Sequence, residues 1–451
     1  MRNVYLKGYV NYENEGYTFI YEDKKLTLIS VNNKHTFFSE YKYIDNFYGF
    51  TLDGFDVVFY INNSIYYKNG CFVCSPRCIC ISQNKDYRLT KMSFDTIRFS
   101  GGTINRFYSN RKMIEFDTKE INCFKIKDVK ETISEERVDL NGETSMFELS
   151  IMQPGWQDDG IVTFDNYDSL LRIKYNSPKD YESLIKDLNS IDKFFKFCTN
   201  RINISFNRIF LEIKNEDKKY EKAVEIIIPY MTDNEINKDM LDYEILSGKL
   251  NALFQFLDNY DYIFSIIPED NKSFEKVSNK DYCAGFSCFE SIYQGVHSFS
   301  EDSNQTKEEA ALEEAKEELL PFLCECAEKY KGINKLKRDF IKRFINIIST
   351  ANLKLEKCII NELEKNDYLI ESIYYKRRDE IRANGIVKSV TKAVADRDDI
   401  THNNTVKLDV ISIGIYELIL KLNYVMILEY IGLPKERFAE KIKYLGRVNI
   451  I

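Results

Sequence analysis

The chain is poor in residues that break, staple or span. Seven Pro and 18 Gly in 451 residues exclude collagen-like and linker-like composition. No run approaches the roughly 18 uninterrupted apolar residues of a membrane span. The nearest, Val410 to Leu433, is interrupted by Glu417, Lys421, Asn423 and Glu429, so no membrane partner is expected. Met-Arg-Asn-Val-Tyr-Leu-Lys-Gly at the start has no apolar h-region and no small-residue cleavage site, which points to the cytoplasm. Basic charge is not in excess: 63 Lys and Arg stand against 71 Asp and Glu, a formal charge of −8. That excludes a protein coated in DNA but leaves room for a local basic groove that holds RNA. The chain also lacks a Gly-x4-Gly-Lys-Ser/Thr phosphate loop, a Gly-x-Gly-x2-Gly turn, a His-Glu-x2-His pair and a serine-hydrolase elbow. Eleven Cys, an odd number spread along the chain, suggest reduced thiols or a metal site rather than a disulfide framework.

What is present is a composition 44% hydrophobic and 30% charged, that of a folded multidomain protein. The first 150 residues alternate in short runs rich in Val, Ile, Thr, Tyr and Phe, as in Tyr17 to Tyr21, Leu26 to Val31, Val57 to Ile61 and Thr96 to Ser100. Asn, Asp and Gly clusters punctuate them, the pattern of antiparallel strands in a sandwich or barrel. Leu184, Leu188, Ile191, Phe194, Phe195 and Cys198 then recur every three or four residues, which predicts an amphipathic helix from Lys179 to Asn200. Strand-like runs return at Ile202 to Ile213 and Ala223 to Tyr230. Beyond about residue 235 the period is helical, with helices expected at Leu241 to Leu257, from Ala284, and at Glu308 to Tyr330, Lys335 to Thr350, Leu353 to Asn366, Glu380 to Asp396, Thr405 to Ile431 and Lys435 to Leu445. The fold class is therefore α+β and multidomain: a β-rich region over 1–275, sandwich- or barrel-like with an embedded helix and a candidate split near 175, followed by an all-α region over 276–451.

Only three His are available for proton transfer. His35 sits in a strand or turn, and His297 ends an apolar helix, where a cation is favoured anyway. His402 lies in Ala395-Asp-Arg-Asp-Asp-Ile-Thr-His-Asn-Asn404, where from Asp396 onward every residue but Ile400 is polar, between two apolar helices. Arg397 and His402 are five positions apart, about 140° on an unbroken helix. Their convergence on one phosphate would require the first helix to end near Arg397, with Asn403, Asn404 or Thr405 capping the next. An imidazole can move a proton, and a guanidinium holds phosphate oxygens with a fixed fork of donors. A solvated loop with Arg397 paired to Asp399 or another carboxylate explains the same residues equally well.

Arg397-x4-His402, with Asp398 after the Arg and helices around it, resembles the Arg-x4–6-His motif of HEPN ribonucleases. A Phe286-x2-Phe289-Glu290 helix opens the domain and a long Leu/Ile helix closing in Glu429-Tyr-Ile-Gly-Leu433 follows the motif. With the β-rich region ahead of it, this order resembles the ApeA family of anti-phage abortive-infection proteins, an N-terminal ApeA-type domain joined to a HEPN domain. The resemblance implies an endoribonuclease that needs no metal for catalysis, in which the RNA 2′-OH attacks the adjacent phosphodiester and leaves a 2′,3′-cyclic phosphate. It implies that His402 transfers the proton, Arg397 stabilises the charged phosphorane, and Asp398 and, more weakly, Asn403 orient the pair. It further implies RNA, tRNA included, as substrate, a phage-derived trigger, and a homodimer with a composite site. The apolar surface of 405–431 would serve both core and dimer contact. Glu290, on an otherwise apolar face, is a structural salt-bridge partner or a partner to a basic site residue.

Two basic clusters offer an approach surface for RNA. One is Lys329, Lys331, Lys335, Lys337, Arg338, Lys342 and Arg343, and the other is Lys376, Arg377 and Arg378; each reads equally as a solvated face. Cys71-x2-Cys74-x3-Cys78-x-Cys80 places four thiols within ten residues, a candidate structural zinc site whose Cys-x-Cys half departs from the usual knuckle. Buried packing thiols account for the same pattern. Trp156, on a turn-rich loop, suits either a ligand contact or a sheet-edge plug. The rival to a nuclease is a non-catalytic RNA- or ligand-binding dimeric scaffold, in which Arg397 and His402 are dispensable.

Overall fold

The computed structural model describes residues 4–32, 39–68, 70–109, 114–116, 124–126, 128–152, 168–202, 204–229, 240–268, 277–297, 307–349, 354–403 and 406–445. The chain forms two compact units, Met1–Asn271 with Ile431–Lys441, and Lys272–Tyr430 with Ile442–Ile451. His35 and Trp156 lie outside the described residues.

In the first unit, strands β1 (Leu6–Tyr12), β2 (Glu15–Glu22), β3 (Lys25–Ser30), β4 (Ser39–Thr51), β5 (Asp56–Lys68) and β6 (Cys71–Cys74) form a closed antiparallel barrel. The neighbour order is β5, β4, β1, β2, β3, β6, and β6 pairs back onto β5 through Tyr67 and Phe72. Both early hairpins turn on two residues at positive φ, Glu13–Asn14 and Asp23–Lys24, the twist-matched geometry for a two-residue loop. Alternation sends Val10, Phe19, Leu28, Phe47, Phe59 and Phe72 inward to one core. β1 and β4 approach closely at Gly8 and Gly49, where a Cβ on either would strike the facing backbone.

Past β5 the sheet opens. It continues through β7 (Cys78–Ser82), β8 (Phe94–Ser100), β11 (Ser134–Leu140), β12 (Glu143–Met152), β13 (Asp168–Lys179), β14 (Arg208–Lys214) and β15 (Tyr220–Ile227), in the spatial order β7, β15, β14, β8, β13, β12, β11. β9 (Ile114–Phe116) and β10 (Phe124–Ile126) pair apart from it. Residue 175 falls inside β13, a strand that pairs with β12 on one side and β8 on the other, and Tyr175 itself lies opposite Ser145 of β12. The short α1 (Thr103–Phe107), the amphipathic α2 (Tyr181–Thr199), α3 (Tyr243–Leu246) and α4 (Leu250–Asn259) supply the helical layer. Phe194 of α2 stacks on Phe254 of α4 at 4.6 Å, and both meet Phe147 of β12. The single helix expected over Leu241 to Leu257 is two, because Gly248 adopts φ +80° between them.

The second unit contains α5 (Asn279–His297), α6 (Lys307–Lys329), α7 (Lys335–Ser349), α8 (Leu355–Lys365), α9 (Tyr375–Asn384), α10 (Ile386–Asn403) and α11 (Val410–Tyr430). α12 (Lys435–Tyr444) follows and is divided between the units, with Arg437 donating to the Ser247 carbonyl at 3.2 Å within the first. The expected helix Glu380 to Asp396 is likewise two, separated by Gly385 at φ +84°. α11 is the axis against which α5, α9 and α10 pack. It is the one described helix long and apolar enough to cross a membrane, and 83% of its most apolar stretch is buried in the protein. Ser412 and every residue from Gly414 to Leu428 are buried. The core thus takes the whole circumference from Gly414 to Leu428 and leaves Val410 and Tyr430, at the two ends of the helix, exposed.

Candidate active site

The stretch around His402 is not a junction between helices. α10 continues unbroken through Arg397, Asp398 and His402 to Asn403, and α11 starts only at Val410. The first helix does not end near Arg397, and Asp409 caps the next by accepting from Ser412 N at 2.9 Å. The polar run stays helical because its apolar period never lapses. Val390, Ala393, Val394 and Ile400 remain buried, while Asp398, Asp399, Thr401 and His402 face outward.

Arg397 sits on that inward stripe, between Val394 and Ile400, but at its margin. Its guanidinium lies 3.6 Å from the Glu290 carboxylate of α5 and donates to Asp398 at 2.9 Å. Thr401 donates to the Arg397 carbonyl at 2.9 Å, and Cys283 of α5 contacts both that carbonyl and the Thr401 hydroxyl at 4.0 and 3.9 Å. One turn after Asp398, at the i+4 position on the same face, comes the exposed His402. The structure thus brings together Glu290, Arg397 and Asp398 and puts His402 on the Asp398 face. The Arg397 and His402 positions stay about 140° apart around one helix. Asn403 is the last residue of α10.

A second polar cluster, which spacing alone did not reveal, joins α10 to the start of α11. Lys392 of α10 reaches Asp396 at 3.5 Å and Asp409 at 2.5 Å, and the Ser412 hydroxyl donates to Asp396. Tyr282 of α5 donates to the Ala393 carbonyl at 2.9 Å. Burial first, and then the Asp396 charge, push its hydroxyl far above the ordinary tyrosine range. Partial burial works against the Lys392 ammonium, yet its bonds to Asp409 and Asp396 raise its pKa, and the same partnership lowers that of Asp409. Ser412 is fully buried. The i, i+4 pair Lys392–Asp396 was the one legible trace of this cluster.

The two expected basic surfaces fare differently. Arg377 is buried and bonded at 2.5 Å to Glu417 of α11, so it is no part of an RNA approach surface. Lys421, also buried, adds contacts to Glu417 at 3.6 Å, to Ser372 and to the Lys443 carbonyl. Burial lifts the Glu417 carboxyl above its ordinary range even against these two cations. Arg378 pairs with Glu371 and Asp379. By contrast Lys329, Lys331, Lys335, Lys337, Lys342 and Arg343 on α6, α7 and their loop are exposed.

The four clustered thiols are placed in two pairs. Cys71 lies opposite Lys68 on β5, and Cys78 lies opposite Tyr60, eight residues along that strand. Among the described residues no group of three or more His, Cys, Asp or Glu is arranged to hold a metal ion. Burial raises the Cys71 thiol and pushes Cys74 up to about 12, and the bond to Cys78, then burial, raise Cys80, which keeps these sulfurs protonated near neutrality. A zinc ion would have to displace those protons and draw the two pairs together.

No family model, no curated protein and no solved structure matches the chain.

Proposed function

We propose that the helical unit is a HEPN-type endoribonuclease centred on Arg397 and His402, and that the β-rich unit regulates it in an ApeA-like defence against phage. The observation that carries this reading is the contrast between Arg397 and the structural Arg377. Arg397 sits at the rim, one-quarter exposed, held by two carboxylates that are themselves about half exposed. The fold has no need of a charge there, and an ion pair so exposed adds under about 1 kcal/mol.

In this reading the RNA 2′-oxygen attacks the adjacent phosphorus, the bond from phosphorus to the 5′-oxygen breaks, and a 2′,3′-cyclic phosphate remains. One proton leaves the 2′-OH and one reaches the departing 5′-oxygen, with His402 as the transfer group. Arg397 exchanges a carboxylate for phosphate oxygens and stabilises the charge that develops on them. Asp398 and Glu290 are positioning residues that aim the guanidinium, and Asn403 assists at the helix end. The angle between Arg397 and His402 fits a site completed by a second copy, so the active species is a homodimer.

The test is cleavage of tRNA and rRNA by purified protein, with and without EDTA, alongside phage plating of cells carrying the wild type, His402→Ala or Arg397→Ala. EDTA-insensitive fragments with cyclic-phosphate ends, lost together with protection in both folded variants, are the expected result. Protection undiminished in His402→Ala would sink it. That outcome would favour the non-catalytic binding scaffold, the reading to which an unbroken helix with diverging Arg397 and His402 also lends itself.

A further inference from the structure

We infer that the α6–α7 hairpin is a self-association element, docking on the same hairpin of a second copy with α6 of each against α7 of the other. The two helices pack chiefly on one another. Across both of them Ala327 is the one buried residue among those described. Leu319 and Phe322 on α6, Ile333 in the loop, and Leu336, Phe340 and Phe344 on α7 are 43 to 84% exposed. Leu336, Phe340 and Phe344 fall at i, i+4 and i+8, one continuous stripe. A two-helix hairpin with so little buried among its described residues gains little from packing, so this stripe needs cover. Six such side chains offer on the order of 500 Å² of apolar surface per copy, and lysine stems can extend that towards the about 800 Å² per partner of a standard interface.

Charge selects the occupant. α6 carries eight Glu against three Lys, whereas α7 carries five Lys and Arg against one Asp. Glu314, Glu317 and Glu318 are exposed on the first, and Lys337, Lys342 and Arg343 on the second. Within one copy Arg338 reaches Glu328 near the loop. A two-fold arrangement repeats this attraction twice across the interface, because an acidic helix meets a basic one at both symmetry-related contacts. A basic amphipathic α7 alone would suit an anionic lipid surface, but the acidic α6 beside it would be pressed against the same headgroups. Paired hairpins satisfy both helices.

The inference goes beyond the nuclease reading and survives its failure, because its readout is mass rather than RNA. Light scattering and sedimentation equilibrium of the full chain are expected to show a dimer at micromolar concentration. The double variant Leu336→Asp with Phe340→Asp is expected to weaken association at least tenfold, while circular dichroism and the melting temperature report the rest of the fold as intact. A second pair controls for local unfolding. Lys342→Glu with Arg343→Glu, and Glu314→Lys with Glu317→Lys, should each be monomeric alone and form a heterodimer on mixing. A monomeric wild type at about 100 µM, a dimer that persists in the Asp double variant, or no heterodimer on mixing would overturn the inference. So would a monomeric wild type that cosediments with phosphatidylglycerol vesicles.

Discussion

Two arginines of the helical unit each face a glutamate on a neighbouring helix, and the two pairs have opposite meanings. Arg377 and Glu417 are both at least 98% buried, joined by Lys421 and set where α9 crosses α11. Arg397 and Glu290 meet at the rim where α10 runs beside α5. The first pair cannot be broken without leaving a charge stranded in the core, whereas the second can exchange its partner for an anion from solvent at little cost. Identical chemistry is architecture in one place and a candidate site in the other, and solvent exposure makes the difference.

That contrast can be broken by experiment. The largest effect is expected from Glu417→Ala, which strands Arg377 and Lys421 and should cost about 3–5 kcal/mol in urea or thermal unfolding; a melting curve close to wild type would remove the distinction between the pairs. His402→Ala should lower RNA cleavage by about 10²–10⁴-fold with an unchanged melting temperature, read from single-turnover rates. Glu290→Gln should change stability by less than about 1 kcal/mol yet shift RNA cleavage, and comparable losses of stability in Glu290→Gln and Glu417→Ala would erase the contrast.

The smallest effect belongs to the polar cluster of Lys392, Asp396 and Asp409. Asp409 is depressed below its ordinary 3.8, so its contribution is present above that value and lost as pH falls through the folded one. Lys392 is raised above 10.5, so its contribution is complete below that value and lost as pH rises through the folded one. Both groups are more than one-third exposed, and screening holds the gain to under about 1 kcal/mol. The stability difference between the wild type and Lys392→Met should therefore be largest near neutrality and shrink at both extremes; a difference constant with pH would refute it.

Much of the fold was legible because side-chain period reports which face is buried. The alternation in Tyr17 to Tyr21 became β2, and the three-or-four spacing from Leu184 to Cys198 became α2. The single helices expected at Leu241 to Leu257 and Glu380 to Asp396 overlooked Gly248 and Gly385, whose positive φ ends a helix more firmly than the flanking apolar residues extend it. The opposite holds at Asp396 to His402. Dense polar residues suggest an interruption there, but Val390, Ala393, Val394, Arg397 and Ile400 keep the inward stripe that α10 needs.

The sequence by itself determined the order of a β-rich region and a helical one, the amphipathic helices, and the isolation of Arg397, Asp398 and His402 in a polar stretch. These follow from local periodicity and from composition, which act through neighbours a few residues apart. Only the tertiary structure decided that β6 returns to β5 to close a barrel, that Cys71 and Cys78 register eight residues apart, that Arg377 is buried, and that Glu290 meets Arg397. Each of these depends on which distant surface excludes water from a side chain, and that free energy is set by packing between elements rather than by the residues on either side.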